Sequence, residues 1–168
     1  GAFLVGMYRV IRTEMAGKGE AGNSLVEPSL YGLDVDPRAV GVTRLRLWLE
    51  SRSGGGQGLG AAALKARIRV GDALALCVQI DGRTSWDIVV TNPPYGLKVP
   101  QAIRDRLFDP RRGGGQSRDA YGLFVAQSLE LLDKQGVAGM VIPETWRTIR
   151  SHRPLRERVL TGSRVALV

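Results

Sequence analysis

The residues of this chain best suited to chemistry are Asn92-Pro93-Pro94-Tyr95, which follow the apolar run Asp87-Ile88-Val89-Val90-Thr91. An amide, two prolines and an aromatic ring at the end of a buried strand suit methylation of a conjugated amine. Such an amine is a poor nucleophile because its lone pair is delocalised into the ring. Two acceptors placed at its hydrogens draw the nitrogen toward a tetrahedral shape and localise that pair. The Asn92 side-chain oxygen and the Pro93 carbonyl are the two candidates, and the proline rings stiffen the loop that aims them. Tyr95 offers a flat face for stacking on a base, a role that needs the ring and not the hydroxyl. The same four residues also describe a proline-rich turn after a strand.

The apolar spacing around this segment alternates between helix and strand periods. Phe3, Leu4, Met7, Tyr8, Ile11 and Met15 recur at three and four, predicting a helix over 2–15. A short strand follows over 29–33, ending at Asp34. Pro37 then opens a helix carrying Val40, Leu45, Leu47, Trp48 and Leu49. Residues 51–60 read as a Gly-rich surface loop and 61–66 as a helical turn. Further strands are expected over 67–70, 86–91 and 137–142, with helices over 101–107, 120–133 and 155–160. Gly136 suits a helix C-cap, and 164–168 suits the start of a fifth strand. The apolar run at 86–91 suits a strand buried on both faces. This alternation predicts an α/β fold with a mostly parallel sheet and helices on both faces. Ligands of such sheets bind beyond the carboxyl ends of the strands, where Asp34, Asp72 and Asn92 to Tyr95 fall.

Composition narrows the function classes. The chain has 168 residues, 43% of them hydrophobic and 24% charged, enough for a packed core. Lys plus Arg number 24 against 16 for Asp plus Glu, and the resulting +8 favours a polyanionic partner. A single Cys excludes a disulfide framework, and a single His excludes a multi-histidine zinc site. No apolar stretch approaches the roughly 20 residues of a membrane span. Gly1-Ala2-Phe3-Leu4-Val5 has no initiator Met and no basic n-region. A cytoplasmic protein is expected.

Taken together, the motifs resemble the S-adenosylmethionine-dependent amino-methyltransferases that act on adenine N6 in DNA, as found in restriction-modification enzymes. Gly1-Ala2-Phe3-Leu4 resembles the tail of that family's glycine-rich first motif. Tyr31 to Pro37 and Val70 to Leu74 resemble the second and third motifs, and Asn92 to Tyr95 the fourth. Asp119 to Phe124 and Gly139 to Trp146 resemble the segments that follow. The resemblance implies a Rossmann-like class I methyltransferase fold and S-adenosyl-L-methionine as cofactor. It also implies double-stranded DNA with a flipped adenine as substrate, and a target-recognition region elsewhere in the full-length protein. Asn92, Pro93, Pro94 and Tyr95 would be catalytic.

By the same resemblance, Asp34 would bind the cofactor's ribose diol, or cap a helix, although Asp36 is the better cap. Asp72 would accept from the cofactor's adenine amine, or simply shape a turn after Gly71. Phe124, or its neighbour Leu123, would wall that adenine or belong to the core. Gly1, Ala2 and Phe3 would approach the methionine end. The basic residues Lys98, Arg104, Arg106, Arg111, Arg112 and Arg118 suit DNA phosphates or a solvated loop equally. His152 reads as a surface residue, Cys77 as a small buried apolar one, and Trp146 as packing.

The family's first strand and the start of its glycine loop have no counterpart here, so the chain reads as a catalytic domain cut at both ends. Such a piece is expected to bind cofactor weakly and to be inactive alone. Two other readings remain: a methyltransferase of an RNA base or a protein glutamine, and a non-catalytic DNA-binding scaffold.

Overall fold

The computed structural model describes residues 1–17, 29–53, 58–74, 83, 85–107 and 119–166. The chain divides into two compact units, Gly1–Ala73 and Leu74–Val168.

In the first unit, α1 (Ala2–Gly17) and α2 (Pro37–Arg52) pack on one another, and α2 covers β1 (Gly32–Asp34) and β2 (Ile68–Val70). The short α3 (Ala61–Arg67) leads directly into β2. The strands run parallel, with Gly32 opposite Ile68 and Asp34 opposite Val70. A core of Val5, Tyr8, Leu30, Val40, Leu47, Leu59, Leu64 and Ile68 follows from the three-and-four spacing of α1 and α2. The start of α2 matches its sequence: Asp36 accepts from the Arg38 amide at 2.8 Å, and Pro37 occupies the first turn. Arg9 grips Glu50 with both Nε and Nη2 at 2.8 Å, and Arg12 donates to the Glu50 carbonyl, tying α1 to the end of α2. Ser51 and Leu59, at the two ends of the expected surface loop, are buried, and the Ser51 hydroxyl accepts from the Leu59 amide at 2.9 Å. Residues 54–57 lie outside the described residues.

In the second unit, β3 (Trp86–Thr91) pairs in parallel with β4 (Leu132–Met140), connected through α4 (Gln101–Leu107) and α5 (Ala120–Leu131). Helix α5 packs against both strands and is apolar nearly all round; Ala120, Tyr121, Gly122, Leu123, Val125, Ala126 and Ser128 are buried. After β4 come two 3-10 turns, Glu144–Arg147 and Arg150–His152, then α6 (Arg153–Gly162). Leu155 and Val159 of α6 join Val125 and Ala126 in a core flanked by Leu129, Met140, Ile142 and Trp146.

The strands pair in parallel, as expected, and among the described residues they form two two-stranded sheets, β1 with β2 and β3 with β4. Other expectations are corrected. Strand β3 is not buried on both faces: Ile88 is 47% exposed, because β4 is its single described partner and α5 its helical cover. Gly136 is not a helix cap. Helix α5 runs straight into β4, and the register slips between Trp86–Leu132 and Ile88–Val137. Gly136 sits in that irregularity, where a Cβ would lie 2.9 Å from the Trp86 carbonyl oxygen and 3.0 Å from that of Asp133. Of the strand expected over 164–168, residues 164–166 form none, and 167 and 168 lie outside the described residues. His152 is wholly buried rather than on the surface.

Two glycines should respond oppositely to alanine. Gly136→Ala places a methyl against main-chain atoms that cannot move aside, and is expected to destabilise by about 1–3 kcal/mol. Gly41→Ala, in the exposed middle of α2 with nothing within 4 Å, is expected to stabilise by about 0.5–1 kcal/mol. Urea unfolding midpoints of the two variants check both signs.

Candidate active site

Asn92 to Tyr95 leave the carboxyl end of β3, where the ladder is extended by one bond from the Val141 amide to the Thr91 carbonyl at 3.1 Å. Two prolines then stop the strand, because neither has an amide hydrogen to donate. Pro93 is buried, while Asn92, Pro94 and Tyr95 are exposed. Gly96 follows with φ +68°, a left-handed turn that side chains disfavour, and so redirects the chain immediately after Tyr95.

Tyr95 is 51% exposed. Its hydroxyl, to which the sequence assigned no task, is engaged: Oη lies 3.0 Å from Asn92 Oδ1 and 2.9 Å from the Val141 carbonyl oxygen. A phenol has one hydrogen and here meets two oxygens. Oη–H is placed to donate to Asn92 Oδ1 or to the Val141 carbonyl, so the hydroxyl ties the carboxamide to the residue that follows β4, and Oδ1 keeps a second lone pair. The Val141 carbonyl left no trace in the sequence, since every residue carries one. The only possible signal was a tyrosine three residues beyond the amide.

The other predicted positions lie in the first unit, except Phe124. Asp34 ends β1, and its carbonyl accepts from the Gly71 amide at 2.9 Å. Parallel pairing thereby sets Asp34 beside Gly71-Asp72, bringing the two predicted carboxylates to the same end of one strand pair. Asp34 Oδ1 accepts from the Asp36 amide at 2.9 Å, and its other oxygen makes no hydrogen bond among the described residues. Asp36, not Asp34, caps α2. Asp72 is half-buried and engaged in further interactions. The Gly1 carbonyl accepts from the Val5 amide at 3.2 Å, and a Cβ on Gly1 would run into the Thr43 hydroxyl of α2. Ala2 is exposed and Phe3 is 44% exposed. Phe124, in the second unit, is half-buried against Leu74, Val99, Ala120 and Leu123, a core position.

Lys98 is exposed and Arg104 half-buried; the side chain of Arg106, and all of Arg111, Arg112, Arg118 and Cys77, lie outside the described residues. Among the described residues no cluster of His, Cys, Asp and Glu is fit to hold a metal ion, and no helix is long and apolar enough to cross a membrane.

A parallel α/β unit thus carries Asn-Pro-Pro-Tyr at a strand's carboxyl end, and comparison with known proteins points to methyltransferases. The family profile described as Eco57I restriction-modification methylase matches residues 28–167. A curated relative, "Type II methyltransferase M.VspI" from Vibrio sp. (strain 343), is 29% identical over 155 residues, which cover 88% of this chain and 35% of that protein. The chain thus spans about a third of the length of that relative. The chain belongs to the Eco57I restriction-modification methylase family.

The division of labour between Asp34 and Asp36 is open to a stability test. Asp36→Ala removes the side-chain acceptor of the Arg38 amide and is expected to cost about 1 kcal/mol in urea unfolding. Asp36→Asn keeps an acceptor oxygen there and should cost only a few tenths of that.

Proposed function

We propose that this chain is part of the catalytic domain of an S-adenosylmethionine-dependent DNA methyltransferase that modifies the N6 amine of adenine within a restriction-modification system. The observation that carries the reading is the Asn92–Tyr95–Val141 bridge, which fixes an amide at the carboxyl end of a parallel strand. Family membership supports methyl transfer as the activity. Similarity to the Type II methyltransferase of Vibrio supports DNA as the substrate. The fold proposed for the whole catalytic domain is Rossmann-like, with β1 to β4 as part of its parallel sheet.

The residues present suit the cofactor. The unbonded carboxylate oxygen of Asp34 matches a ribose diol, and Asp72, at the same end of the strand pair, matches an exocyclic amine donor. Gly1 to Phe3, at the start of α1, would serve its methionine end. When bound, S-adenosylmethionine supplies a methyl group activated on a sulfonium. The chain's own residues then do three things. Asn92 Oδ1 and the Pro93 carbonyl accept the two hydrogens of the adenine amine and localise its lone pair. Tyr95 stacks on the base, which must leave the duplex to reach a strand end. The Tyr95 hydroxyl donates to Asn92 Oδ1 and so steadies the carboxamide, whose oxygen has a second lone pair for the amine. The net +8 favours the phosphate backbone, and base-specific recognition is assigned to a region elsewhere in the full-length protein.

The test is single-turnover methylation of duplex DNA by the full-length protein, with N6-methyladenine, N4-methylcytosine and methylated RNA or glutamine read separately. N6-methyladenine is the expected product, and any other product overturns the adenine assignment. Asn92→Ala should lower the rate at least about 10²-fold with cofactor affinity nearly unchanged, as for loss of one preorganised polar group. Tyr95→Phe keeps the stack but frees the Asn92 amide. It is expected to lower the rate about tenfold, roughly one net hydrogen bond. A wild-type rate in Tyr95→Phe would remove the orienting role of the hydroxyl.

A further inference from the structure

His152 is the one histidine of the chain, and it is fully buried at the junction of the second 3-10 turn with α6. Its ring stacks on Tyr121 of α5 with centroids 4.9 Å apart and planes 17° from parallel. Nε2 lies 3.1 Å from Tyr121 Oη and 3.8 Å from Asp119 Oδ2. Nδ1 has no hydrogen-bond partner among the described residues. A buried polar ring of this kind needs a reason, because an unpaired buried nitrogen destabilises by itself.

Its neighbours supply the reason. Asp119 is the residue that precedes α5, and its backbone forms an isolated antiparallel bridge with Lys98. The next amide, of Ala120, donates to the Leu97 carbonyl at 3.0 Å. Leu97 and Lys98 are the residues immediately after Tyr95 and Gly96. The route from the other side also ends at His152. Val141, which holds the Tyr95 hydroxyl, continues through Pro143 and the two 3-10 turns, and the His152 amide closes the second turn on the Ile149 carbonyl at 3.1 Å. Arg156 of α6 clamps the same stretch by donating to the carbonyls of Trp146 and Ile149 at 2.8 and 2.6 Å.

We infer that His152 is a positioning residue for the methyl-transfer site, fixing the start of α5 and hence the Leu97–Lys98 strip that follows Asn92 to Tyr95; this rests on the function proposed above. His152 acts through Tyr121 and Asp119 and touches no reacting atom. Its neutral form is the working one. Burial lowers its pKa below the usual value of about 6.5, Arg156 lowers it further, and Asp119 pulls it partly back. Burial likewise raises the Tyr121 phenol, against a hydrogen bond from Thr145, so that group stays protonated. Protonating His152 would put a hydrogen on both ring nitrogens, and the one on Nδ1 would have no acceptor among the described residues. Because the folded pKa lies below the unfolded one, this contribution is complete above about pH 6.5 and is lost as pH falls through the folded value.

The experiment uses the full-length protein with His152→Gln, His152→Phe and the milder Tyr121→Phe, which keeps the stack and removes only the hydroxyl. Single-turnover methylation should fall about tenfold in each, with the cofactor Kd changed less than twofold. The acid-side loss of rate below about pH 6.5 should flatten in His152→Gln. Amide exchange at Ala120, read by NMR or mass spectrometry, should quicken at least tenfold while Leu64 in the first unit is unaffected. Wild-type rates and an unchanged pH profile in His152→Gln and Tyr121→Phe would overturn the inference. So would Ala120 and Leu64 exchanging faster together, the mark of general loosening. Absence of transfer by the wild-type protein would instead sink the function proposed above, leaving Ala120 exchange to decide whether His152 holds the strip.

Discussion

Parallel pairing is the constraint that fixes where Asp34 and Asn92 lie. Two strands that run the same way must finish at one edge, and their evenly spaced hydrogen bonds let the ladder continue just past the last strand residue. Both units use that continuation. Gly71 donates to the Asp34 carbonyl in the first, and Val141 donates to the Thr91 carbonyl in the second. Each bond locks a residue of interest, Asp34 in one case and Asn92 by its neighbour in the other, to a main-chain frame rather than to a free loop.

The two units then solve different problems. The first sets Asp34 at a strand end and uses Asp36 to cap the helix, with Asp34 Oδ1 accepting from the Asp36 amide. The second presents an amide whose two ends have opposite hydrogen-bonding character, so its orientation matters as much as its position. The Tyr95 hydroxyl lies between the carboxamide oxygen and the Val141 carbonyl, and its one hydrogen can serve either. The basic composition adds a diffuse attraction that acts over about 10 Å at moderate salt and orients nothing by itself.

What was legible in the sequence was mostly local. The spacing of Leu4, Tyr8, Val40 and Leu47 produced the helices found, and Asp36 with Pro37 marked the start of α2 to the residue. The double proline marked the end of β3. What escaped depends on contacts distant in sequence. Gly136 looked like a helix terminator because glycine serves both there and wherever two backbones meet closely, and only the neighbouring Trp86 carbonyl separates the cases. His152 looked superficial because its neighbours Arg150, Ser151 and Arg153 are polar, and the Tyr121 ring that covers it lies 31 residues away. The exposure of Ile88 reflects which strands pair, and no pattern within 86–91 encodes that.

The acceptor that steadies Tyr95 is a peptide carbonyl. Side chains change from one descendant of a gene to the next, but no coding substitution deletes a carbonyl oxygen. Position 141 is therefore free to drift, and its own side chain already points half into solvent, with Val141 50% exposed. The tyrosine and the asparagine carry all of the hereditary risk of that three-part bridge. A survey of variation would find the third member silent in any comparison of letters.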